Sequence, residues 1–373
     1  MTSKRTLRSL NVLLVLSLLF SAIAYAGPQS LDPTLKKKDA AVFGNGSFLE
    51  DKSTFTSAVE VQMSESNGYV YLSWVNNRPK NPIYYVSIAK DGKWLVRNKK
   101  VFEASGVTSP IGNAEYKLNE IVNLGNVVYL TYLDMKGMKY YIRQVSLDPK
   151  GTMTVNKTIF TLPITNEKNN LKAGQIRPVY TSKGPGVIFH KTYETETVYP
   201  FKVKETAYTI FLASTQAKAA SFTDSTFALY KRLPRAEIET STREYYNAYW
   251  DIEGKILYHN DGMGFVRKFN TATGKAVVDA KNNPVSLVTK AAFLLDNQYL
   301  FAYNSVSKKH WVERFDNKTM KTKAVSDYFN LDGYSYNNKV FATSTEKEIH
   351  VWEITTRVDS ALSPALKLTT VTK

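Results

Sequence analysis

Gly125-Asn126-Val127-Val128-Tyr129-Leu130-Thr131-Tyr132-Leu133 opens the stretch whose reading decides the fold. A polar turn over 134–139 follows, then a second apolar and aromatic run, Tyr140-Tyr141-Ile142-Arg143-Gln144-Val145. The turn Asp148-Pro149-Lys150-Gly151 leads into 152–160, which alternates and ends on Ile159-Phe160. β-Branched and aromatic runs bounded by Gly, Pro and Asp predict strand, hairpin, strand, turn and strand, one small antiparallel sheet.

Outward from this stretch the chain repeats it. In 68–102, Tyr69-Val70-Tyr71-Leu72-Ser73-Trp74-Val75 stands for 127–133, Tyr84-Tyr85-Val86 for Tyr140-Tyr141-Ile142, and Val101-Phe102 for Ile159-Phe160. Further copies read 186–190 with 208–213, 255–259 with 264–269, 298–303 with 310–315, and 339–343 with 348–354. Units of roughly 40 to 60 residues with polar turns predict an all-β fold, a single β-propeller of six blades. Seven blades, or two β-sandwich modules, are the alternatives. A small sheet with two apolar faces is marginal alone, so neighbouring copies stack and the ring closes. The propeller is expected over 56–373, preceded by a loose leader over 27–55 with one short strand near Ala41-Val42-Phe43.

The first residues predict export. Lys4, Arg5 and Arg8 precede the uncharged run 12–25, and Ala24-Tyr25-Ala26 supplies a small-x-small cleavage pattern, which makes 1–26 a signal peptide. That run is shorter than the ~20 residues a membrane span needs, and no later segment is long and apolar enough for one. The 373 residues contain no Cys, which excludes disulfides, thiolate metal sites and a Cys nucleophile. The expected location is secreted or periplasmic, in a bacterial exported protein that folds as a monomer.

The net charge of +16 is spread along the chain and favours salt-sensitive attraction to anionic surfaces. A dedicated nucleic-acid reader concentrates its Lys and Arg on one element, and none is expected here. The densest run, Lys36-Lys37-Lys38, reads as part of the solvated leader.

The closing turns carry a family resemblance. Phe269-Asn270-Thr271-Ala272-Thr273-Gly274-Lys275 resembles the hairpin of quinoprotein-type and WD-type propeller repeats, and 315–321 echoes it without the Gly. Residues 87–94 and 146–153 resemble the aspartate box of sialidase-type propellers, in degenerate form. In the first, Gly92 is one residue too close to Trp94 and the usual Asp is missing; in the second, Ser146-x-Asp148 is kept, but Gly151 comes one residue late and no Trp follows. The resemblance implies a propeller, identifies no particular family and implies no activity.

Functional leads lie where the copies disagree. His190 and His259 occupy a strand position that holds Ser73, Thr131, Ala302 and Ala342 elsewhere, and Asp261 follows His259 by two residues. Imidazoles from neighbouring units beside a carboxylate suit acid–base work or a metal, whereas the structural reading is packing. His310 and His350 read as equivalent packing residues. An insertion over 191–206 carries Tyr193, Glu194, Glu196 and Tyr199; glutamates two apart share one face of a strand, where one carboxyl's pKa can be raised for general acid work. Tyr and Trp are candidate sugar-stacking residues at Tyr193, Tyr199, Tyr249 and Trp250, and the pairs Tyr84-Tyr85 and Tyr140-Tyr141 offer the same chemistry. Aromatic residues also fill the space between blades, and the chain holds 24 Tyr, 18 Phe and 5 Trp. No phosphate loop, zincin helix or nucleophile elbow occurs, and neither metal nor cofactor is expected.

The leading expectation is therefore an exported β-propeller that binds a protein or an anionic surface polysaccharide and performs no catalysis. The alternative is a hydrolase or lyase on extracellular glycans, built on Glu194 or Glu196 with His190, His259 or Asp261.

Overall fold

The computed structural model describes residues 34–38, 41–43, 47–55, 60–76, 82–104, 120–134, 139–163, 175–180, 186–198, 201–212, 218–225, 247–250, 256–260, 265–270, 273, 275–282, 285–288, 291–296, 298–304, 309–329, 338–355 and 365–373, with the backbone alone over 175–250. The strands are β1 (Lys36–Lys37), β2 (Ala41–Phe43), β3 (Glu60–Ser66), β4 (Tyr69–Asn76), β5 (Ile83–Lys90), β6 (Lys93–Glu103), β7 (Glu120–Leu124), β8 (Val127–Asp134), β9 (Lys139–Leu147) and β10 (Met153–Pro163). There follow β11 (Gln175–Tyr180), β12 (Gly186–Val198), β13 (Phe201–Leu212), β14 (Lys218–Ser225), β15 (Asn247–Trp250), β16 (Ile256–Asn260), β17 (Phe265–Asn270), β18 (Lys275–Ala276) and β19 (Ser286–Val288). The last are β20 (Ala291–Leu294), β21 (Tyr299–Asn304), β22 (Lys309–Asp316), β23 (Lys321–Ala324), β24 (Asn338–Ser344), β25 (Glu348–Thr355) and β26 (Leu366–Thr372).

These strands form an all-β propeller of five hydrogen-bonded sheets: β3–β6, β7–β10, a nine-stranded sheet spanning β11–β19, β20–β23, and a closing sheet of β24–β26 with β1 and β2. The six separate blades expected are thus corrected to five sheets. The cause is the parallel pairing of β11 with β15 at Val179↔Ala248 and Tyr180↔Tyr249, which joins two antiparallel meanders into one sheet. The paired β-sandwich alternative is also excluded. The first sheet packs on the closing sheet through Val61, Met63, Trp352 and Ile354, and on the second through Val86, Ile88, Val128 and Leu130. The β20–β23 sheet likewise packs on both its neighbours. Such two-sided packing is what a ring requires.

The ring is closed by the chain's own start. β1 and β2 pair with β26, at Lys37↔Val371 and Phe43↔Leu366 among others, so the outer strand of the last sheet comes from the leader. Phe48 and Phe55, also in the expected leader, are buried in the core between the first and closing sheets. The described part of 27–55 therefore belongs to the propeller and is not a loose leader.

Borrowing an outer strand also shifts the phase of the last copy. Its β24 and β25 are the first and second strands of their sheet, whereas β21 and β22 are the second and third of theirs. His310 on β22 and His350 on β25 are accordingly not equivalent, contrary to expectation.

Local chemistry explains the turns and the seams. Asn67-Gly68 and Asp91-Gly92 take positive φ at both positions, the two-residue hairpin that matches strand twist. Gly151 has φ +78 and an added Cβ would meet the Val96 methyls at 3.0 and 3.1 Å, so both backbone and space demand glycine. The seam between the first two sheets is pinned by buried Asn123, which donates to the carbonyl of Tyr71 at 3.0 Å and accepts from the Ser73 hydroxyl. Ser64 Oγ donates to the carbonyl of Gly125 at 2.8 Å, and Tyr84 OH to that of Thr131 at 2.8 Å. These bonds join β3 to the turn between β7 and β8, β4 to β7, and β5 to β8 across the seam.

Candidate functional site

The residues singled out by sequence fall mainly in the nine-stranded sheet. His190 lies on β12 opposite Gln175 and Tyr208, and His259 on β16 opposite Ala248 and Arg267. Ala248 stands beside Val179, four residues along β11 from Gln175, so the two backbones differ in level by about 13 Å at 3.3 Å per residue. Tyr193 is opposite Glu205 and Glu194 opposite Lys204, and the register slips before Glu196 meets Val203. That bulge at Thr195 breaks the strict alternation on which a shared Glu194–Glu196 face depends. Tyr249 pairs with Tyr258 and Trp250 with Leu257. The side chains of His190, Tyr193, Glu194, Glu196, Tyr249, Trp250 and His259 lie outside the described residues, as do Tyr199 and Asp261 altogether.

Ser73, Thr131 and Ala302, at the position of the two histidines in other units, are on second strands and 0% exposed. His310 is equally buried, stacked on Phe301 at 5.3 Å, and burial drives its pKa down to about 3, so it stays neutral packing material. His350 differs. Its Nδ1 is 2.9 Å from Glu65 Oε1 and its Nε2 is 3.3 Å from Glu348 Oε2. A neutral imidazole has one N–H, so a ring between two carboxylates uses both nitrogens as donors only when protonated. The hydrogen bond to Glu65 accordingly raises the His350 pKa, against the opposing effect of desolvation. Glu65 also accepts from Trp352 Nε1 at 3.2 Å and from the Thr343 hydroxyl. This acid–base cluster ties β3 to β24 and β25 across the ring closure, with Lys38 3.7 Å from Glu348. Every member is engaged by another, and its place is a packing seam. It is a clasp.

The aspartates of the closing turns are structural as well. Asp148 Oδ1 accepts from the backbone N–H of Lys150 at 2.9 Å and Thr152 at 2.8 Å, and Asp316 Oδ1 from Lys318 at 2.7 Å. These bonds hold both carboxyls below the usual range. Part of the positive charge is structural too: Lys93, Lys99 and Lys100 on β6 and Lys321 and Lys323 on β23 lie on outermost strands, where lysine discourages edge-to-edge association.

A different arrangement lies on strands at the end of the sheets where second strands pass to third strands. Phe102 near the end of β6, Tyr132 near the end of β8 and Tyr141 near the start of β9 form a row of half-buried rings, with centroids 5.3 and 5.1 Å apart. Tyr132 and Tyr141 stack at an interplanar angle of 15°. The Arg143 guanidinium lies over Phe102 at 4.6 Å. The Tyr140-Tyr141 pair signalled part of this row; Arg143 gave no signal, because its role comes from facing the neighbouring sheet.

Among the described residues, no group of three or more His, Cys, Asp or Glu is placed to hold a metal, and no helix is long and apolar enough to cross a membrane. No family model matches the chain, and no curated protein matches it significantly. Among solved structures, the α-L-arabinanase of Penicillium chrysogenum is similar at 8% identity and a TM-score of 0.47, over 89% of this chain and 98% of that one. The polysaccharide lyase Uly1 is similar at 9% identity and a TM-score of 0.44, over 93% and 92%. The β-propeller domain of the trilobed protease from Pyrococcus furiosus matches at 10% identity and 0.38, over 84% and 82%. The propeller is established by the strand pairing above, and no activity is taken from these likenesses.

Proposed function

We propose that this chain is an exported, monomeric propeller that recognises a surface or extracellular glycan on the face bearing the turns between second and third strands. The observation that carries the proposal is the β12–β13 hairpin. β12 has 13 residues and β13 has 12, against 8 in β4 and 5 in β16. The inner strand β11 pairs only with the Gly186–His190 part of β12. The rest, 191–198, runs on beyond it as a ribbon of about 25 Å at 3.3 Å per residue. Rigid blades with one long projecting element suit recognition of an extended ligand. The aromatic row lies on strands beside a turn of the same class, and the basic chain favours acidic polymers.

A second reading is glycan cleavage by one of the two carboxylates that the bulge at Thr195 sets apart, since bulges occur beside active sites, where they re-aim single side chains. It would use that carboxylate with His190, His259 or Asp261.

Affinity electrophoresis of the purified protein through neutral and acidic polysaccharides tests the proposal, with a variant whose 191–206 segment is replaced by a two-residue turn. Retardation by at least one polymer, relieved in the variant and weakened by salt, is expected. No retardation by any polymer overturns the glycan reading. New reducing ends or absorbance at 232 nm from a retarding polymer replaces pure binding with the second reading.

A further inference from the structure

We infer that the seam between the first and second sheets is a subsite for a carboxylate-bearing sugar, a uronic acid, held by Arg143 beside the Tyr132–Tyr141 pair; the inference rests on the glycan reading. Arg143 is oriented before any ligand arrives. Its Nη2 donates to the carbonyl of Asn156 at 3.1 Å, its Nη1 to Thr158 Oγ1 at 3.5 Å and its Nε to Asn156 Oδ1. The guanidinium carbon lies over the Phe102 ring at 4.6 Å from its centroid.

These bonds engage three of the five N–H donors a guanidinium offers. No acceptor in the set is charged, and among the described residues no carboxylate forms an ion pair with Arg143. A half-buried cation that is balanced, among the described residues, by neutral oxygens keeps its charge for an incoming anion. The planar fork matches a planar carboxylate through two parallel hydrogen bonds, which a point-like ammonium cannot reproduce.

The rest of the ligand is specified by the rings. Tyr132 and Tyr141 are partly exposed and stacked, giving an apolar edge that carries two phenolic hydroxyls. An apolar C–H surface bordered by hydroxyls, with one carboxylate at its end, is the chemistry of a uronic acid ring. The packing reading accounts for Tyr84 and Phe102 at the seam, but not for an Arg held there with no acidic partner among the described residues.

Calorimetric titration with tetragalacturonic acid and with its fully methyl-esterified form tests this directly, because esterification removes charge and keeps the rings. Binding of the acid about tenfold or more tighter than the ester is expected in the wild type, the scale of a charge-assisted hydrogen bond. Arg143→Gln should abolish that preference and leave ester binding within about twofold, and Tyr132→Ala should weaken both ligands. An acid preference fully retained in Arg143→Gln overturns the subsite while the glycan reading stands. So does a wild type that binds other glycans but not the acid. A wild type that binds no glycan of any kind overturns both.

Discussion

Trp74→Ala should lower the unfolding free energy by about 3–5 kcal/mol, the range for truncating a large buried aromatic. Trp74 is 0% exposed and stacks on Tyr85 at 5.7 Å and 17°. Phe48 and Phe55 meet its ring at 5.9 and 5.8 Å, edge on. Its Nε1 donates to the carbonyl of Thr54 at 3.0 Å, so the indole joins β4 to the segment that precedes the first sheet. Removing it leaves a cavity and an unpaired carbonyl at the ring closure. Trp74→Phe keeps most of the volume and should cost about 1–2 kcal/mol through the lost bond. Urea midpoints of the two variants measure both effects. A Trp74→Ala midpoint near that of the wild type would mean that the leader segment does not pack as described.

The clasp gives the second large effect, and it depends on pH. Because the His350 pKa is raised above the ordinary 6.5, chiefly by its bond to Glu65, the folded state holds a proton that the unfolded chain releases. Its contribution is complete below about 6.5 and is lost as pH rises through the higher folded value. The groups facing His350 are Glu65 from β3 and Glu348 from β25, with Lys38 beyond Glu348. The stability difference between wild type and His350→Gln should therefore be largest near pH 6 and shrink toward alkaline pH. Glu65→Ala should cost about 2–4 kcal/mol at any pH in that window, since it also strips an acceptor from Trp352 and Thr343. Proton NMR titration of the His350 ring is the direct check. A midpoint at or below the ordinary imidazole value would remove the clasp from the account.

Second and third strands were legible in the sequence because they carry apolar residues on both faces. Residues 127–133 became β8 and 140–145 became β9 almost residue for residue. The inner strand β3 was not legible. Its sequence, Glu-Val-Gln-Met-Ser-Glu-Ser, buries Val61 and Met63 toward one neighbour, while buried Ser64 bonds to the other. That face reads as polar, and no repeat signal survives on it. The phase of the last unit was missed because its outer strand comes from the other end of the chain. The clasp was missed for a related reason: His350 and Glu65 are 285 residues apart, and only ring closure makes them neighbours. Arg143 was hidden because nothing local marks a cation that acts across two sheets.

The central claim is that a glycan engages the ribbon and the aromatic row on one face of the propeller. Hydrogen exchange measured by mass spectrometry, with and without a polysaccharide that retards the protein, tests it most directly. Slower exchange is expected in peptides covering 191–206 and 132–143, with no change at the turns holding Asp148 and Asp316 or at the Glu65–His350 clasp. Protection confined to those turns or to the clasp, with 191–206 and 132–143 unchanged, would contradict it.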